Sequence, residues 1–173
     1  MSHASHRGFT LIELIVSVAL LGILINGALY FSQTLLPKTR LVADTNQVIG
    51  LIAQARNTAI SRQVTLLCAT GTQCATFDKN THNLMLIVDH NNNHRQDSNE
   101  PILAQTTLHR DTRVNWNSFQ SKPYLAFRPS GLAHFQNGHF LICGQKLANK
   151  VVLNWVGRAY IEKVDYHTHC KAS

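Results

Sequence analysis

The sequence predicts an α+β fold: one long N-terminal helix, half transmembrane and half amphipathic, packed on an antiparallel β domain. Three observations carry that expectation. Residues 9–31 form an apolar run broken only by small polar residues and one charge, Glu13. Residues 41–60 then repeat apolar side chains at helical spacing. From residue 64 onward, short β-rich runs are separated by Asn, Gly and Pro clusters, with none of the helix–strand alternation of a parallel sheet. The expected organisation is a leader over residues 1–8, a transmembrane helix over 9–36, its amphipathic continuation over 37–63 and a β-rich domain over 64–173.

The apolar run of 23 residues would be about 34 Å long as a helix, more than the ~30 Å of a bilayer core. It exceeds the ~7–15-residue core of a secretory signal, and no A-x-A-like site follows it. The one small-residue junction, Gly8-Phe9, precedes the run. Cleavage there would shed the leader and keep the anchor. Charge alone barely orients the span, with Arg7, His3, His6 and the α-amine before it and Lys38 and Arg40 after it. Pro37 removes a helix hydrogen bond, so a kink is expected if the helix continues. Continuation is indicated by Leu41, Val42, Thr45, Val48, Ile49, Ile52, Ala55, Ala59 and Ile60 on one face, with Asn46, Gln47, Arg56, Asn57 and Arg62 opposite.

Strands are expected over residues 64–68, 84–89, 113–116, 124–127, 139–143, 151–156 and 158–164. The four cysteines are Cys68, Cys74, Cys143 and Cys170. Cys68 and Cys74 flank a turn in LLCATGTQCAT, which points to the pairs Cys68–Cys74 and Cys143–Cys170; four buried thiols are the alternative. Disulfides would put the β domain in an oxidising compartment outside the cytoplasm.

Net charge is +7, and residues 101–173 carry nine Lys/Arg against Asp111, Glu162 and Asp165. Such a basic third suits a polyanion partner or simply a soluble surface. The ten histidines are scattered, without H-E-x-x-H, and no phosphate loop or nucleophile–base pattern is present, so the chain reads as non-enzymatic. In YHTHC, His167, His169 and Cys170 could hold a soft metal, but a disulfide at Cys170 and two solvated strand histidines are the simpler expectation. In DHNNNHRQDSNE, the side chains of Asp89, Asn91, Asn93, Asp97 and Glu100 occupy the oxygen-ligand positions of a Ca2+ loop. His94 stands where the turn glycine belongs, and Asx-rich loops also form without an ion. No cofactor is expected, with Ca2+ as the candidate to test.

RGFTLIEL, with Gly8, Phe9 and Glu13, resembles the prepilin signature of type IV pilins and type II secretion pseudopilins. LIAQARNTAISRQVTLLC, LIVDHNNNHRQDSNEPIL, LAFRPSGL, FLICG and VGRAYIEKV resemble the GspH/FimT/FimU branch. The resemblance implies a pilin-like ladle fold, cleavage after Gly8 by a prepilin peptidase and N-methylation of Phe9. It also implies a role for Glu13 in assembly, where it would pair with the N-terminal amine of an adjacent subunit. A carboxylate in hydrocarbon costs at least about 2 kcal/mol unpaired, which gives that pairing a physical motive. A glutamate that only complements the helix dipole is the alternative.

The implied protein is a minor pilin or pseudopilin, expected at a fibre tip. It would be held by one pass in the bacterial inner membrane with its C-terminal domain in the periplasm, then join other minor and major pilins or pseudopilins through its N-terminal helix. The alternative is a DNA-binding minor pilin for uptake of double-stranded DNA. The G-R-x-R motif of the FimT branch is half present here, as Gly157-Arg158-Ala159-Tyr160, with Lys146, Lys150, Lys163 and Lys171 as further phosphate contacts.

Overall fold

The computed structural model describes residues 10–61, 63–71, 74–78, 80–133 and 135–170. The chain divides into two compact units, Met1–Pro37 and Lys38–Ser173. The leader with Gly8 and Phe9 lies outside the described residues, as do Arg62, His134 and Lys171.

In the first unit, α1 (Leu11–Tyr30) buries none of its side chains within the chain. Thr10 caps it. The hydroxyl of Thr10 accepts from the Glu13 N–H, and the Glu13 carboxylate reaches back to the Thr10 N–H, a reciprocal capping box. Two polar side chains in the span are satisfied one turn back. Ser17 Oγ donates to the Glu13 carbonyl at 2.7 Å and Asn26 Nδ2 to the Gly22 carbonyl at 2.6 Å. After Tyr30 the helix widens into a π turn (Phe31–Leu35), where the Leu36 N–H bonds the Phe31 carbonyl. Pro37 has no N–H to offer the preceding turn, so the ladder re-registers just before it. The helical run stays continuous over Leu11–Ser61, 51 residues, and is long and apolar enough to cross a membrane.

In the second unit, α2 (Leu36–Ser61) buries Leu41, Asp44, Thr45, Val48, Leu51, Ile52, Ala55 and Ala59. The expected stripe is rotated slightly: Val42 and Ile60 are exposed, while Asp44 and Leu51 turn inward. Two antiparallel sheets receive this face. One contains β1 (Thr65–Ala69), β2 (Asn83–Val88), β3 (Ile102–Thr107) and β5 (Leu125–Phe127), in the order β3-β2-β1-β5. The other contains β4 (Arg113–Ser118), β6 (Gly138–Cys143), β7 (Ala148–Leu153) and β8 (Ala159–Lys163), in the order β4-β6-β7-β8.

The core joins the buried face of α2 to Leu67, Leu86, Phe127, Phe140, Val151 and Leu153 from both sheets. Phe140 packs edge-on against Phe77 at 5.5 Å and tilted on Trp116 at 4.4 Å. β1 and β2 are apolar on both faces, TLLCA and NLMLIV, because Leu66, Cys68, Met85 and Ile87 form a second cluster beneath Cys74 and Tyr124. Hydrogen bonds stitch the helix down: Thr65 Oγ1 to the Ala55 carbonyl at 2.8 Å, Asn149 Nδ2 to Thr45 Oγ1 at 3.0 Å and Arg56 Nε to the Gly131 carbonyl at 3.1 Å.

Three expectations change. Residues 102–107 form a strand that the sequence pattern does not mark. The run 151–156 ends at Leu153, because residues 154–157 turn back with the Gly157 N–H on the Asn154 carbonyl at 2.9 Å. Residues 166–169, expected as strand, are the short helix α3 (Tyr166–His169), capped by Asp165, whose Oδ2 accepts from the Thr168 N–H at 2.9 Å. Hydrogen bonds from the Thr168 N–H and hydroxyl also hold the Asp165 carboxyl below its usual range.

Candidate functional site

The first candidate region is the start of α1. Glu13 stands at the third helical position, in the T-x-x-E spacing of a capping box, so its carboxylate is aimed at the N-terminal end of the chain. Its Oε2 accepts from both the N–H and the hydroxyl of Thr10 at 2.9 Å. Thr10 is recognisable from that spacing and is the residue sequence reasoning passed over. The group beside it, Phe9, is outside the described residues.

The cysteines come next. Cys68 is bonded to Cys74 and Cys143 to Cys170, at sequence separations of 6 and 27. Cys170 is therefore committed to sulfur, and among the described residues no group of three His, Cys, Asp or Glu is placed to hold a metal ion. The second disulfide fastens the residues after β8 to β6.

The basic region is less compact than its sequence suggests. In β8, Ala159 and Ile161 lie opposite Leu153 and Val151, which are buried, so Arg158, Tyr160 and Glu162 share the outer face. Arg158 and Tyr160 are exposed there. Lys150 is engaged with Glu162 at 3.1 Å. Lys146 and Lys163 line a groove with Lys38, and Lys163 is about 17 Å along the strand from Arg158. Lys171 is outside the described residues.

Gly157, the first residue of the half-matched motif, has a structural task. Its φ is +83°, and a Cβ there would sit 2.9 Å from the Gly131 carbonyl oxygen and from the Phe127 ring. Gly131, at φ +72°, is in turn held by Arg56. His139, also on the outer face of this sheet, titrates below its usual range, first because it is half-buried and then because Lys150 and His169 are nearby.

The loop over residues 89–100 is tied by its own side chains. Asp89, fully buried, accepts from the backbone N–H groups of Asn93 and His94. Glu100 accepts from His90 N–H at 2.7 Å and Asp97 N–H at 3.1 Å. Asn91 and Asn93 both aim their Nδ2 at Asp97 Oδ2, at 2.7 Å. All five candidate Ca2+ ligands are thus brought to one loop, and each has at least one side-chain oxygen engaged by an amide. The loop forms one wall of an open cavity of about 600 Å3, with Lys122, Tyr124 and Arg128 opposite. His94 stacks on Tyr124 at 4.8 Å, and the Tyr124 hydroxyl is pushed up by burial and by Asp89.

A further polar pair escaped sequence reasoning. Asp44 is buried on α2 and bonds His109 Nδ1 at 2.8 Å. Nothing in the helical period marks it, since a carboxylate on an apolar stripe reads as a break.

Comparison with known proteins adds the family context. The family model described as Type II transport protein GspH matches residues 44–157, and the prokaryotic N-terminal methylation motif matches residues 3–28. No curated protein matches the chain. Two crystal forms of the Pseudomonas aeruginosa type IV minor pilin FimU resemble it in fold. One is 14% identical with a TM-score of 0.50, covering 69% of this chain and 90% of that one. The other is 15% identical with a TM-score of 0.52, covering 72% and 90%. The minor pseudopilin EpsH of the Vibrio cholerae type 2 secretion system is 16% identical with a TM-score of 0.51, covering 70% and 94%.

Proposed function

The chain belongs to the GspH family of type II transport proteins, with an N-terminal methylation motif ahead of its apolar helix, and from that premise we propose a non-enzymatic minor pilin or pseudopilin. It is stored in the inner membrane with its β domain in the periplasm. A prepilin peptidase cuts after Gly8, Phe9 is methylated, and the subunit joins other pilins or pseudopilins at the tip of a type IV pilus or type II secretion pseudopilus.

The observation that carries this reading is Glu13, a carboxylate held toward the N-terminal end of an otherwise apolar and exposed helix. Cleavage creates an ammonium at Phe9. Both charges are costly near hydrocarbon, and each neutralises the other when helices of neighbouring subunits come together. The helix then exchanges lipid contacts for helix contacts, which an all-round apolar surface permits. The loop over residues 89–100 serves as an ion-independent clasp, since both oxygens of Asp89 and Glu100 and Oδ2 of Asp97 already accept from amides.

The test is processing. Gly8→Leu should leave the precursor uncut in the membrane, read by intact mass. Normal loss of residues 1–8 in that variant would sink the reading.

A second reading, in which duplex DNA is the ligand, has one observation in its favour. Arg158 and Tyr160 stand exposed on the same face of β8, so a guanidinium and a phenol can meet one phosphate backbone.

A further inference from the structure

β8 is the last strand of its sheet, so it has one neighbour and one bare edge. The ladder tells which backbone groups face outward. The Asn154 N–H donates to the Arg158 carbonyl at 3.1 Å, closing the hairpin. Hydrogen-bonded pairs then recur at every second position, which assigns the bonds to Val152 with Tyr160 and Lys150 with Glu162. The N–H and C=O groups of Ala159, Ile161 and Lys163 consequently point away from β7. Among the described residues, no hydrogen bond outside the ladder reaches them.

Open edges are commonly blunted by a proline, a bulge or an inward-pointing charge. β8, AYIEK, has no proline, pairs with β7 without a register shift, and holds its one lysine at its end. The two outer strands of the other sheet are different: β3 follows Pro101 and its pairing shifts register between Leu86 and Ile87, and the Ala126 N–H of β5 is taken by Gln136 Oε1 at 2.7 Å.

Beside the bare edge runs a groove of about 460 Å3 between the start of α2 and β8. Leu41, Val42, Leu147 and Ile161 give it an apolar floor, with Val42 48% and Ile161 47% exposed. Lys38, Lys146 and Lys163 line it against one acid, Asp165, whose carboxylate is occupied capping α3. None of the three lysines has an ion pair among the described residues.

We infer that the edge of β8 and this groove accept an extended acidic segment of a partner protein as a ninth strand. Main-chain bonds to Ala159, Ile161 and Lys163 would hold it, and the side chains on its groove-facing side, every second residue, would include apolar groups over Val42 and Ile161 and carboxylates at the three lysines. A second copy of β8 is the poorer occupant, because it would bring two sets of these lysines to one seam. That the partner is a neighbouring fibre subunit rests on the proposed function; the open edge does not.

The experiment uses the full chain in detergent micelles and hydrogen exchange resolved to single amides. The probes are the acetylated, amidated octapeptide Thr-Glu-Thr-Val-Thr-Glu-Thr-Val, which puts glutamate and valine on one face, and its counterpart with lysine for glutamate. At saturation the acidic peptide should slow exchange of Ala159, Ile161 and Lys163 by about tenfold or more, and the basic peptide should not. Unchanged exchange, equal protection by both peptides, or protection of Ile102–Thr107 instead would overturn the inference. Ile161→Pro deletes an outward N–H without touching the bonds to β7, and should abolish protection of the other two amides; protection that survives it overturns the inference. Should Ile161→Pro not fold, Lys146→Glu with Lys163→Glu leaves the edge intact and should reverse the preference toward the basic peptide. An unreversed preference counts against the proposal. Cleavage after Gly8 is read separately, so either idea can fail alone.

Discussion

Glu13 caps α1 together with Thr10 and, under the proposed function, also supplies the charge for assembly, two roles that substitutions can separate. Glu13→Gln keeps a side chain that can complete the capping box but removes the charge. Glu13→Ala removes both, at about 1 kcal/mol of helix stability, which is small for a helix held in lipid. Both variants should be processed normally, by intact mass, yet both should be recovered in sheared fibres at a small fraction of the wild-type level. Normal fibre recovery of Glu13→Gln would reduce Glu13 to a cap. Gly157 gives the opposite lesson. In sequence it stands at the head of a ligand motif, whereas in the fold its positive φ and the Gly131 carbonyl at its back are what demand glycine. Gly157→Ala should destabilise the β domain by about 1–3 kcal/mol, while exposed Arg158→Ala should stay within about 0.5 kcal/mol. Denaturant melts of the two variants check this. The T-x-x-E cap is legible in the residue spacing alone. The strain at Gly157 is not, because the carbonyl and ring that crowd it come from residues distant in sequence.

Elements were legible where one periodicity dominated. The helical face of α2 and the apolar runs of β1 and β2 declare themselves, since burial on one face or both sets their composition. ILAQTT does not: β3 lies at a sheet edge with mixed exposure, so neither alternation nor a continuous apolar run marks it. YHTH alternates like a strand, but the Asp165 cap and the tether at Cys170 make it helical. That tether closes the longer loop, with a separation of 27 against 6, and Cys143→Ser with Cys170→Ser should cost about 3 kcal/mol in the chain-entropy account, more than loss of Cys68–Cys74. Melting temperatures of the two double variants order the pair. The same sheet carries a pH dependence. An unfolded histidine titrates near 6.5, and folded His139 titrates lower. Its contribution is therefore complete above that value and is lost as pH falls and the unfolded chain takes the proton first. Stability should decline from about pH 7 to about pH 5, and His139→Gln should flatten that decline. The loop over residues 89–100, clasped by Glu100, should melt identically in Ca2+ and in chelator; a rise in melting temperature with Ca2+ would make it an ion site.

For the whole molecule, charge reads as a distribution and not as a sum. The net +6 of residues 101–173, nine Lys/Arg less three acids, is dispersed: Arg158 follows the 154–157 turn, Lys146 and Lys163 line the groove beside α2, Lys122 and Arg128 line the cavity beside the 89–100 loop, and Lys150 is cancelled by Glu162. If duplex DNA is a ligand, binding should be independent of sequence and lose about 0.9 log unit of affinity per log unit of salt for each phosphate contacted. Arg158→Ala should lower affinity and slope together, and Tyr160→Arg should raise both, by mobility shift of the full chain in detergent. No shift at low salt removes the DNA reading. At this scale α1 has a consequence of its own. Ser17 and Asn26 each donate to a carbonyl of their own helix, four residues back. Passage between surroundings therefore breaks neither of these polar bonds and exchanges mostly van der Waals contacts. Nothing in them makes that exchange one-way: under the proposed function, a helix that leaves lipid could return to it with both bonds intact.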